Sequence, residues 1–214
     1  MAKRDIERKA SIVIITVILA IVIVTAILLV RQKYFGPKFK YKDFEVTKFT
    51  PEGTTVQLYS LRVPVRIYAS TDIYHIYLRN DPRTLSNISV ENTTREVLLD
   101  PKPEHVYLTF DPEMEERGKI AVALSQVSRV LGSAGGGIFK FPVTGAVTKF
   151  TEGLNGTITC GNSNEENVVI LFQYANETAI WVDETAWRCI IVQGRNADEL
   201  IRAADRATLT LLGI

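Results

Sequence analysis

The sequence predicts an α+β (mixed α/β) protein: an N-terminal transmembrane helix, a β-rich subdomain, then a mixed sheet packed by two helices. Three observations carry this. Ala10 to Val30 is an unbroken apolar run, ASIVIITVILAIVIVTAILLV. Short β-branched and aromatic runs, separated by Pro, Asn, Asp and Gly, fill residues 43–104. From Val106 onward, strand-like runs alternate with two helical patterns in the order β-α-β-β-β-β-α. The divisions expected are a short basic N-terminus at 1–9, the membrane helix at 10–30, a basic juxtamembrane stalk at 31–42, the β-rich subdomain at 43–104 and an α/β subdomain at 105–214.

The chain has 214 residues, a formal net charge of +1 and 46% hydrophobic residues. Near-neutral charge argues against a nucleic-acid footprint over the whole chain, so nucleic acid is not an expected partner. Once the apolar run is set aside, the remainder has an ordinary soluble composition and can bury a core without metals or many disulfides.

The apolar run has no charge, Gly or Pro, and its polar groups are Ser11, Thr16 and Thr25. As a helix it spans about 31 Å, the thickness of a bilayer core. Each Ile, Val or Leu favours insertion by about half a kcal/mol. A core helix would show a polar face, and this segment shows none. A cleaved signal peptide would be shorter and end in small residues, whereas this run passes straight into Arg31-Gln32-Lys33. A retained single-pass anchor is therefore expected.

Flanking charge does not orient the helix. Lys3, Arg4, Arg8 and Lys9 precede it, and Arg31, Lys33, Lys38, Lys40 and Lys42 follow it. Two features of the domain favour the extracytoplasmic side. Asn87, Asn92, Asn155 and Asn176 all begin Asn-x-Ser/Thr acceptors, where chance would supply about one. Cys160 and Cys189, the only cysteines, flank a hairpin-like stretch; a bridge there would close a loop of about 29 residues and add about 3 kcal/mol. Two unpaired buried thiols are the alternative. The cysteine and histidine spacings do not suit zinc.

After a stalk in which Tyr34 and Phe35 fit an interfacial belt, strands are expected at Phe44–Phe49, Val56–Tyr68 and Tyr74–Arg79. Pro64 marks the second as an edge or a break. Asn80-Asp81-Pro82-Arg83 reads as a turn, 86–94 as an exposed loop, 95–99 as a short strand and 100–104 as a linker. Val106 to Phe110 reads as a strand. Asp111-Pro112-Glu113 reads as a helix start, with Ile120, Leu124, Val127 and Leu131 on one stripe and Gly132 past its end. After the Gly-rich turn come 138–141 and then 145–150, together one interrupted strand stretch, and strands follow at 168–174, 178–182 and 188–192. Asn196 caps a last helix, with Asp198 and Glu199 in its first turn and Gly213 at its end.

Candidate chemistry is sparse. Gly135-Gly136-Gly137 follows a helix and lacks phosphate-loop spacing, so it reads as a turn. Asp111 lies where α/β folds place ligands, but its expected cap role accounts for it. His75 reads as a structural strand residue. Asp183, Glu184, Asp198, Glu199 and Asp205 read as turn and helix-face acids. Trp181 and Trp187 flank a turn, where packing across a hairpin competes with anchoring a partner. No catalytic residue, cofactor or metal ligand is assigned, and an enzyme is not expected.

The segments Ile76–Arg83 (IYLRNDPR), Cys189–Gly194 (CIIVQG) and Asp198–Ile214, with its Ala203-Ala204-Asp205-Arg206 and Leu211-Leu212-Gly213-Ile214, are similar to uncharacterised single-pass membrane-anchored archaeal envelope proteins. The resemblance spans most of the chain beyond the anchor. It implies an archaeal cell envelope and a pairing of Cys160 with Cys189, and it carries over no catalytic residue.

The expected function is that of a membrane-anchored extracytoplasmic protein, an interaction, assembly or accessory subunit of the cell envelope. Its expected partners are the lipid bilayer, a protein of the membrane or envelope, and further copies of the chain. The alternatives are an extracytoplasmic sensor or ligand-binding domain with a pocket around Asp111 and Gly135, or a pilin-like filament subunit. Lys9-Ala10 before the apolar run prompts the last, although Ser11 fits it poorly.

Overall fold

The computed structural model describes residues 15–27, 36–67, 70–132, 137–153 and 156–214. The Lys9-Ala10-Ser11 site, both ends of the apolar run, Tyr34, Phe35, Gly135, Gly136 and Asn155 lie outside them. Helix α1 covers 15–27, and the Thr25 hydroxyl returns to the Ile21 carbonyl at 2.7 Å. Its large apolar side chains, Ile15 to Ile27, are each 50–61% exposed. Among the described residues no helix is long and apolar enough to cross a membrane.

The rest is a mixed α+β fold with two sheets. The first is an antiparallel meander of β1 (Lys38–Tyr41), β2 (Phe44–Phe49), β3 (Leu58–Ile67) and β4 (Ser70–Leu78). Strand β1 falls inside the stretch expected to be stalk. The cause is alternation: Phe39 and Tyr41 pack inward while Lys38 and Lys40 point out. Strand β3 runs unbroken through Pro64. This is tolerated because β2 pairs with β3 only from Leu58 to Arg62, so Pro64 has no neighbour on that side to miss its N–H.

The second sheet has the order β5-β9-β10-β8-β6-β7. Its strands are β5 (Ser89–Val90), β6 (His105–Phe110), β7 (Val143–Val147), β8 (Asn167–Tyr174), β9 (Ala179–Val182) and β10 (Cys189–Gly194). Strands β7, β6, β8 and β10 run parallel, and β9 is antiparallel to β10. Helices α2 (Thr94–Leu99), α3 (Arg117–Leu131) and α4 (Ala197–Leu211) cover one face. Val168, Ile170, Phe172, Ile190 and Val192 pack there against Ile120, Val127, Leu200, Ala203 and Ala204. The other side of the helix layer meets the first sheet: Val130 of α3 and Leu209 of α4 pack with Val46, Leu61, Val63, Ile76 and Leu78. The helices are thus sandwiched between two sheets. The connection from β7 to β8 crosses the far face of the second sheet, where Ile158 and Cys160 cover Val169, Cys189 and Ile191.

Three local expectations are corrected. Residues 95–99 belong to helix α2, not a strand, because Val97, Leu98 and Leu99 all serve the helix-side core. Asp111 does not cap a helix. It accepts the Glu113 N–H in a tight turn, and α3 begins six residues later, after Glu116 in the left-handed region (φ 55°). Residues 138–141 form no strand; Phe141 makes a single bridge to Gly132. The cap of α4 is as expected: the Asn196 side chain accepts from Glu199 N at 3.0 Å. Gly194 is required before it, since a Cβ there would lie 2.4 Å from the Leu200 nitrogen.

Two buried ionisable groups tie these layers together. Arg188 is 2% exposed, and its guanidinium donates to four backbone carbonyls: Val97 (2.8 Å), Leu98 (3.0 Å), Pro101 (2.6 Å) and Glu165 (2.6 Å). The first two are end-of-helix carbonyls of α2, which lack intrahelical donors. Burial draws the Arg188 pKa below its ordinary value. Asp205, on α4, is fully buried. Its Oδ2 accepts from Arg79 N (3.0 Å), Asn80 N (2.8 Å) and Asn80 Nδ2 (2.9 Å), fastening the chain leaving β4 to α4. The sequence reading of Asp205 as a helix-face acid is therefore corrected. Burial pushes its pKa up from 3.8 to about 7, against the pull of the Asn80 and Arg79 donors.

Replacing Arg188 by Met would strand those carbonyls, and an unfolding free-energy loss of about 3 kcal/mol is expected by urea denaturation. A loss below about 1 kcal/mol would show that the clamp is dispensable. For Asp205, the folded state holds the proton more tightly than the unfolded chain. Its stability contribution is full below pH 3.8 and lost as pH rises through about 7. Wild type should therefore lose stability relative to Asp205→Asn across that window. A difference that stays flat with pH in urea titrations would contradict this.

Candidate functional site

The short edge strand β5 lies parallel to β9, pairing Ser89 with Ala179 and Val90 with Ile180. Beside this pair is an open groove of about 430 Å³ whose lining includes Glu91, Glu177, Trp181 and Gln193. A smaller hollow of about 210 Å³ shares Glu177 and continues toward the start of α4, past Asn87, Asn176, Arg195 and Arg202.

The groove is built from fixed polar groups. Trp181 Nε1 donates to Gln193 Oε1 at 3.1 Å, which sets the indole edge-on to a carboxamide. Glu91 accepts from the Thr93 hydroxyl and from Val182 N at 2.8 Å. Those bonds, Thr93 first, hold its carboxyl below the usual range. Burial acts to raise the Glu199 pKa, but bonds from Arg202 (2.8 Å) and Thr178 (2.9 Å) outweigh it and the net shift is downward. Arg202 also donates to the Thr84 carbonyl at 2.9 Å and to Asn87 Oδ1 at 3.3 Å. One aromatic ring, a carboxamide and ionised side chains held by hydrogen bonds suit recognition of a polar, flat or extended ligand.

The residues singled out in sequence are distributed as follows. Trp181, Glu199, Asn87 and Asn176 meet at this groove and its continuation. Asn87, Asn92 and Asn176 are all exposed and flank the β5–β9 edge. Trp187 is 72% exposed and not part of the hairpin packing, while Trp181 is half-buried beneath the β7–β8 connection. Asp183 accepts from Thr185 N and its hydroxyl, a turn role as expected. His75 lies on the outer face of the first sheet, with Nδ1 3.2 Å from the Ser60 hydroxyl.

The strand ends around Asp111 form a separate cluster of ion pairs. Lys149 bridges Asp111 (3.0 Å) and Glu113, and Lys119 bridges Glu116 (2.9 Å) and Asp198 (2.9 Å). Hydrogen bonds to Glu116 and Asp198 push the Lys119 pKa up to about 12. Asp111 is held below its usual range by the Glu113 N–H and then by Lys149. Among the described residues no group of three or more His, Cys, Asp or Glu is arranged to hold a metal ion.

Cys160 and Cys189 form a disulfide that pins the β7–β8 connection to β10. Arg188, next to Cys189, was not singled out in sequence. The available signal was a cation opening an otherwise apolar strand, Trp187-Arg188-Cys189-Ile190. No protein-family model matches the chain, and no curated protein or solved structure matches it.

The bridge closes a loop of 29 residues in sequence separation. A double substitution, Cys160→Ser with Cys189→Ser, should lower unfolding free energy by about 3 kcal/mol. Equal urea midpoints for the variant and the oxidised wild type would contradict a stabilising role.

Proposed function

We propose that this chain is a membrane-anchored extracytoplasmic subunit of the cell envelope, acting as an interaction or assembly module. The observation that carries the reading is α1. Its apolar side chains are at least half exposed all round, with no polar face. Such a helix requires an apolar surrounding, and the 10–30 run is long enough to place it in a bilayer. The exposed acceptors Asn87, Asn92 and Asn176 and the Cys160–Cys189 disulfide favour the outer side of the membrane. The resemblance to membrane-anchored archaeal envelope proteins points the same way.

A second reading, a ligand-binding or sensory domain, is favoured by the groove beside Trp181 and Gln193. It shares the anchor and differs in the partner.

Membranes from cells making the full chain should retain it through an alkaline carbonate wash and release it in detergent. Protease added to intact cells should remove the folded domain. Recovery of the protein in the wash would overturn the anchor, and a domain protected in intact cells would overturn the orientation.

A further inference from the structure

We infer that the outer face of the β1–β4 sheet is a contact surface for anionic lipid headgroups; this rests on the anchoring proposed above. Alternation along the four strands sorts their side chains. Phe39, Val46, Leu61, Val63, Ile76 and Leu78 face the helix layer. The opposite face carries Lys38 and Lys40 from β1, Arg62 and Arg66 from β3, and one acid, Glu45 from β2. Glu45 is already engaged by Lys38 (3.0 Å) and Arg62 (3.5 Å). Asp72 falls on the other side of β4 by the same alternation. Four cations against one carboxylate leave this face strongly basic.

Apolar and aromatic groups lie between the cations. Ile73 is 51% exposed, Tyr77 is 37% exposed, and Tyr77 meets Phe49 edge-on at 5.8 Å. Pro64 and Ile73 are paired on the part of the β3–β4 hairpin that extends beyond β2. A surface of Lys, Arg, Tyr and Ile suits the headgroup region, where aromatic rings and cations concentrate.

The tether makes the occupant a lipid surface. If the apolar run ends at Val30, seven residues, 31–37, join it to β1. Fully extended, they reach about 24 Å. The last of them are committed to the sheet: Lys48 N donates to the Pro37 carbonyl at 3.1 Å, and a Cβ on Gly36 would lie 1.6 Å from the Lys48 carbonyl oxygen. The first sheet is therefore the part of the fold kept at the bilayer, and its open face is the one carrying the cations. Such cations act over about a Debye length, 8–10 Å in physiological salt.

The test is hydrogen exchange on the full-length protein in nanodiscs of phosphatidylcholine alone or with about one-third phosphatidylglycerol. Amides in β3 and β4 should exchange several-fold more slowly in the anionic discs, and the difference should vanish in high salt. A variant carrying Lys38→Gln, Lys40→Gln, Arg62→Gln and Arg66→Gln should lose the difference. A variant with Arg62→Lys and Arg66→Lys should keep it, which separates charge from fold. Equal exchange in the two lipids overturns the inference, as does slowing that requires an added acidic protein. A chain that stays soluble without a disc overturns the anchoring, and this inference with it.

Discussion

A single buried carboxylate joins the two halves of the fold. Asp205 sits where α4 meets the chain leaving β4, and one of its oxygens takes three N–H donors from Arg79 and Asn80. Burying a carboxylate costs several kcal/mol unless donors replace its water. Here they do so for one oxygen, while Oδ1 has no hydrogen-bond partner among the described residues. The joint is therefore specific rather than merely adhesive. The apolar contacts of Val130 and Leu209 with Leu61 and Ile76 would tolerate sliding, whereas three bonds to one oxygen fix an angle and a register. The first sheet's orientation on the helix layer follows from that.

Arg188 does the corresponding work on the other flank. It gathers carbonyls from the end of α2, the segment after it and the β7–β8 connection, beside the disulfide that holds the same connection to β10. Between them, a buried carboxyl group and a buried cation set where the basic face, the helix layer and the groove lie. The basic face sits on one side of α3 and α4, and the second sheet with its β5–β9 groove sits on the other. On the proposed anchoring, one layer addresses the membrane and another is left for a partner.

The sequence made some of this readable and hid the rest, for physical reasons. Strands β8 and β10 are continuous apolar runs because both faces are covered, and the Asn196 cap is local chemistry. The 95–99 segment misleads because a helix of only six residues, Thr94–Leu99, cannot establish a helical period, and burial of Leu98 decided its form. Asp111 has every local mark of an N-cap, yet the turn it makes with Glu113 competes with helix and delays α3 to Arg117. Asp205 and Asn80 are 125 residues apart, so no local pattern could pair them. The groove behaves the same way: Trp181, Asn87 and Asn176 were individually visible, but they meet only because a two-residue strand docks on β9.

The central claim is that the Asp205 joint makes both sheets one cooperative unit. Native-state hydrogen exchange of the Arg79 and Asn80 amides tests it most directly. If the joint holds, both amides exchange only through the global unfolding that releases the core of α4 and β10. Rapid exchange at Arg79 and Asn80 while the amides of α4 and β10 stay protected would contradict it, because the first sheet would then detach on its own.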